Sequence, residues 1–158
     1  MKYLGLVVRD GLLFGATGGL FSVIVFLAAV YIAREFPLGT FSSLTGTVLS
    51  FLVFGAAGRK LAIATRSTTA AWQMGAIAGG VSELIRTIAV SAFLSFSPSG
   101  QAIFNRLSAS TQQAATDPAS QIANLAVYLG AAIIFGGLAA WLGAWSLIRF
   151  GPPDTPKS

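Results

Sequence analysis

Ala70–Phe96, AAWQMGAIAGGVSELIRTIAVSAFLSF, is the stretch whose reading decides the fold. At about 1.5 Å of rise per residue, a helix of this length spans about 40 Å, more than the ~30 Å hydrocarbon core of a bilayer. Glu83 and Arg86 interrupt the apolar run close to its middle. An ionisable group at that depth is costly, about 2.5–3.5 kcal/mol on insertion scales, and it faces a protein interior or a water-filled cavity. The i, i+3 spacing places the two side chains on one helix face, where each lowers the other's cost without erasing it. Thr87 continues the polar face, and Gly75 and Gly79 lead up to Glu83 at four-residue steps.

The rest of the chain has the same character. Hydrophobic residues make up 54% of the 158 positions and charged ones only 9%. A soluble domain carries about 25% charged residues, so this composition points to an integral membrane protein. The net charge of +5 does not indicate nucleic acid, because the basic residues are scattered at helix ends instead of forming a patch. With no cysteine there is no disulfide and no thiolate chemistry; with no histidine there is no imidazole ligand or imidazole base.

Taken in order, Met1–Asp10 reads as a short amphipathic lead, followed by an uncharged crossing over 11–33. That apolar run is longer than the ~7–15 residues of a signal-peptide core, so it is expected to stay as a first transmembrane helix. The tight Arg34–Gly39 connection, REFPLG, leads to a second crossing over 38–57. Gly58-Arg59-Lys60 reads as its end and opens a basic loop reaching about Thr69. The third crossing, 70–96, stops at Ser97-Pro98, and an outer loop covers 97–118. Ile103, Phe104 and Leu107 there have the spacing of a short surface helix. Asp117-Pro118 is an N-cap followed by proline at the first helical position, opening a fourth crossing over 119–148. The proline-rich tail 151–158 is expected to be disordered. The expected architecture is a single domain, 1–150: an all-α, four-transmembrane-helix antiparallel bundle.

Four crossings put both termini on one side. If that side is cytoplasmic, Lys2, Arg9, Arg59, Lys60, Arg66, Arg149 and Lys157 lie inside, and only Arg34 and Arg106 lie outside. The positive-inside rule then gives N-in and C-in. Trp72, Trp141 and Trp145 fall near the inner interface, where tryptophan is favoured. The expected location is a cell membrane of the bacterial inner-membrane kind, with multiple passes.

Small residues recur every fourth position: Gly11, Gly15 and Gly19; Ser42, Gly46 and Ser50; Gly75 and Gly79; Ala132, Gly136, Ala140 and Ala144. Such faces let helix backbones approach closely in lipid, within one bundle or between copies. A shift of 60 residues also aligns Gly15, Gly19 and Ser22 with Gly75, Gly79 and Ser82, a faint sign of a duplicated hairpin.

No zincin, nucleophile-elbow, Walker A or dinucleotide motif occurs. The five acids, Asp10, Glu35, Glu83, Asp117 and Asp154, are spread too widely for a carboxylate pair or a metal cluster. No catalytic residue, metal ligand or cofactor is therefore expected. The expected role is that of a non-catalytic accessory or assembly subunit, or a self-associating scaffold. Its partners would be membrane lipid and other membrane subunits or copies of itself, with no nucleic acid. The rival is a small oligomeric channel or transporter with a solute, ion or proton site at Glu83–Arg86. Serine and threonine hydroxyls, Ser22, Thr45, Thr47 and Ser50, are on hand to extend that polar centre.

Overall fold

The computed structural model describes residues 3–33 and 40–151, except for the side chains at 32–33, 40–45 and 47. The Arg34–Gly39 connection and residues 152–158 of the tail lie outside the described residues, and with them Glu35, Asp154, Lys2 and Lys157. Among the described residues every element is helical. They are α1 (Leu4–Ala28) with a π-helical turn (Ala29–Ala33), α2 (Thr40–Thr65), α3 (Thr68–Phe96), α4 (Pro98–Phe104), α5 (Ala109–Thr116) and α6 (Pro118–Phe150). Four of these, α1, α2, α3 and α6, are long and apolar enough to cross a membrane.

Several boundaries differ from the expectation for physical reasons. The lead before Gly11 is helical from Leu4, since Leu4–Asp10 contains no helix breaker and Val7 is buried against α2 and α3. Gly58-Arg59-Lys60 does not end α2, which continues to Thr65. Arginine and lysine are good helix formers, and Gly58 lies against the Ala140 backbone of α6, where a Cβ would collide. The break comes at Arg66, which adopts the left-handed region with φ 51°. Ser67 then caps α3, its hydroxyl accepting from the Ala70 amide at 3.1 Å. The basic loop of the sequence reading thus shrinks to two residues. The outer loop 97–118 holds two short helices, α4 and α5, where one was expected. At its end Asp117 caps α6, accepting from the Ser120 amide at 2.8 Å and the Ser120 hydroxyl at 2.7 Å. These bonds hold the exposed Asp117 carboxyl below the usual carboxylate range.

α3 is the central helix. It packs most extensively on α6 and α1, while α2 packs chiefly on α6 and only slightly on α1. The contacts fix the relative directions. Along α1 and α3 the numbers rise together, Gly11 facing Ile77, Gly15 facing Val81 and Gly19 facing Ile85. They also rise together along α2 and α6, with Phe54 beside Ala139 and Ala62 beside Ala144. They run opposite along α3 and α6, where Gly75 meets Gly136 and Gly79 meets Ala132. α1 and α2 are opposed too: Gly18 lies near Phe54, and the Lys60 ammonium is 5.5 Å from the Phe14 ring centre.

The close-packed half of the bundle is the one nearest the α2–α3 turn. Its fully buried side chains include Val7, Phe54, Leu61, Ala71, Met74 and Ala140. Beyond Ser82 no described residue of α3 is fully buried, and α6 has none before Gly136. The far half is therefore splayed, with the Phe26–Phe93 and Tyr31–Phe93 edge contacts, at 5.5 and 6.1 Å, joining α1 to α3 there. Leu13, Leu20, Ile24, Leu52, Ile63 and Ile88 point outward and are more than half exposed. An outer face of that kind is matched by lipid and not by water.

Candidate functional site

The ion pair lies where the packed half gives way to the splayed half. Arg86 Nε donates to Glu83 Oε2 at 2.9 Å, and its Nη2 donates to Glu83 Oε1. Thr87 Oγ1 donates to the same Oε1 at 3.2 Å. The three polar residues singled out in the sequence are thus joined on one face of α3. All of the contacts are local, from one helix turn to the next, which is why the spacing alone made them readable. Glu83 is the more enclosed partner, its side chain 12% exposed against 39% for Arg86.

A cleft of about 580 Å³ surrounds the pair, and each of the four long helices contributes to its wall. α1 gives Ser22 and Phe26; α2 gives Ser50, Phe51 and Phe54; α3 gives Ser82 beside the pair; α6 gives Tyr128 and Phe135. That volume is in the range of small-molecule sites, about 300–1,000 Å³, and the mixture of aromatic wall and few polar groups is typical of them. Sequence reasoning reached Ser22 and Ser50 as hydroxyls but missed Ser82 and Tyr128. A position on the Glu83 side of α3 was the available signal for Ser82. Nothing in the sequence sets Tyr128 opposite Arg86, because that depends on how α6 pairs with α3. Thr45 and Thr47 have side chains outside the described residues.

Three hydroxyls elsewhere in the long helices close onto their own backbone: Thr17 donates to the Leu13 carbonyl at 2.8 Å, Thr65 to the Leu61 carbonyl at 2.9 Å and Ser146 to the Gly143 carbonyl at 2.8 Å. Those in the cleft do not. Among the described residues the hydroxyls of Ser22, Ser50, Ser82 and Tyr128 have no hydrogen-bond partner, although Ser82 is only 7% exposed. The guanidinium is likewise only partly used. It has five N–H donors, two of which reach Glu83, leaving three directed elsewhere. Glu83 is the opposite case, with both oxygens occupied. The cleft therefore offers aromatic edges, hydroxyls that can donate or accept, and one charged group with open valences, the donor-only guanidinium.

The glycines named in the sequence lie at helix contacts. A Cβ on Gly11, Gly15 or Gly19 would come within 2.9, 2.7 or 2.8 Å of an α3 side chain. On Gly75, Gly79 or Gly136 it would run into the backbone of the facing helix. Gly46 is different: nothing lies within 4 Å of it, and α2 makes its close approach to α6 through Gly55 and Gly58. Ending the second helix at Ala57 hid that pair. The two halves of the faint repeat also pack differently. The Gly15–Gly19 face of α1 meets α3, whereas the matching Gly75–Gly79 face of α3 meets α6.

Among the described residues no group of acids could hold a metal ion. Compared with known protein families, curated proteins and solved structures, the chain matches none.

Proposed function

We propose that this chain is a non-catalytic, multi-pass membrane protein whose working part is the cleft around Glu83 and Arg86, a site that admits a small solute from one face of the membrane. Its four crossings form an antiparallel bundle with both termini on the cytoplasmic side. Consecutive crossings run in opposite directions and alternate ones in the same direction, which supports that architecture. The positive-inside count supports the orientation. The packed half, near the α2–α3 turn, then faces the cytoplasm and the splayed half faces outward.

The observation that carries the solute-site reading is that one chain's four helices line the cleft. From the sequence, four helices are few for a carrier, and a pathway required several copies. A cleft complete within one chain removes that requirement and moves this reading ahead of the accessory-subunit role.

The chain contains no cysteine, so single substitutions report without background. In intact membranes, Ser22→Cys and Ser50→Cys are expected to react with a charged, membrane-impermeant thiol reagent added from outside. Leu52→Cys, on the outward face, is expected to stay unreacted. Equal, slow labelling of all three overturns the reading. It would leave the accessory role, whose own test is whether mild detergent extraction returns an unrelated subunit in fixed stoichiometry.

A further inference from the structure

Resting on the solute-site reading, we propose that the cleft binds an amphiphile with an acceptor-rich anionic head, a sulfonate, carboxylate or phosphate, and takes up one proton on Glu83 as it does so. The head is recognised by the three unused N–H groups of Arg86 and by the free hydroxyls of Ser82, Ser22, Ser50 and Tyr128. Phe26, Phe51, Phe54 and Phe135 supply the apolar wall for its tail. A cationic head is disfavoured, since Arg86 and Thr87 already hold both Glu83 oxygens and the guanidinium repels a like charge.

Charge balance requires the proton. The empty pair is net neutral, and an added anion would leave two like charges together in a medium of low dielectric, which is unfavourable. The anion instead replaces Glu83 as the partner of the guanidinium, and the released carboxylate takes a proton from water reaching the cleft. The site stays neutral throughout. Among the described residues lining the cleft, Glu83 is the sole carboxylate. Among the described residues, α1 brings Ser22 and Phe26, α2 brings nothing titratable, and α6 brings Tyr128, whose hydroxyl can hydrogen-bond the head but is not a carboxylate that the anion could displace from Arg86.

The test uses the full chain in discs of zwitterionic lipid, with decane-1-sulfonate as the probe because its head stays ionised throughout. Binding is expected to saturate and to weaken as pH rises, by up to about tenfold per unit, the limit for one linked proton. Decanol and decyltrimethylammonium should not compete. Glu83→Gln is the deciding variant: with no carboxylate to displace, it should bind more tightly at the alkaline end and lose the pH dependence. Arg86→Gln should lose saturable binding. Decyl phosphate competing in the same discs identifies a free amphiphile as an acceptable ligand. Competition by an anionic phospholipid included in the disc identifies a lipid head, and either supports the shared chemistry. Equal competition by decanol, or a Glu83→Gln protein with wild-type pH dependence, overturns the inference. If Ser50→Cys labels but the sulfonate does not bind, this inference alone fails; if neither occurs, the solute-site reading fails with it.

Discussion

Glu83 and Arg86 constrain each other, so their substitutions should not add. Arg86→Met strips Glu83 of its guanidinium partner and leaves only Thr87 as donor, a loss that costs about 3 kcal/mol. Replacing both residues by methionine removes both desolvation penalties, and the doubly substituted protein is expected to unfold at or above the wild-type midpoint. Unfolding of the purified proteins in mixed micelles by a denaturing detergent compares the two. A double variant less stable than Arg86→Met would show that the pair is needed for packing in its own right. Both residues were legible from the sequence because their contact spans a single helix turn. Ser82, one position from Glu83, is harder to read, because serine in an apolar helix ordinarily bonds its own backbone.

The glycines separate by what they face. Gly79→Ala and Gly58→Ala drive a methyl group into a carbonyl of α6 and are expected to destabilise by about 1–3 kcal/mol. Gly46→Ala and Gly130→Ala meet nothing within 4 Å and are expected to be neutral or to stabilise by up to about 1 kcal/mol through higher helix propensity. The same detergent titration orders all four. The α6 cap gives a pH-dependent prediction. Because hydrogen bonds from Ser120 lower the Asp117 value from 3.8, its contribution is fully present above the unfolded value and disappears as pH falls through the folded one. Asp117→Ala should therefore speed hydrogen exchange at the start of α6 near neutral pH, and the difference from wild type should close in strong acid. This cap was readable because it is written in adjacent residues. The end of α2 was not, since it is set by a left-handed arginine and by the closeness of α6 to Gly58.

At the scale of the whole molecule, composition and run length disclosed four apolar helices, and the charge count proposed which way they face. Helix pairing was not disclosed, because small residues occur on several faces of every long helix and the sequence does not say which of them meet. The orientation is open to direct measurement: Ser110→Cys is expected to react with an impermeant reagent in intact cells, and Ser67→Cys only after the membrane is opened. The reverse pattern would invert the topology and place the splayed half inward. The helix pairing also has a consequence for the order in which the protein is made. α1 and α2, which precede α3 in the chain, touch each other much less than α1 touches α3 or α2 touches α6, and the glycine face of α1 waits for α3. The nascent chain therefore passes through a stage in which two inserted helices have no settled partner. A synthesis halted there leaves a product that membrane quality control can recognise, and the wait ends when the third crossing enters.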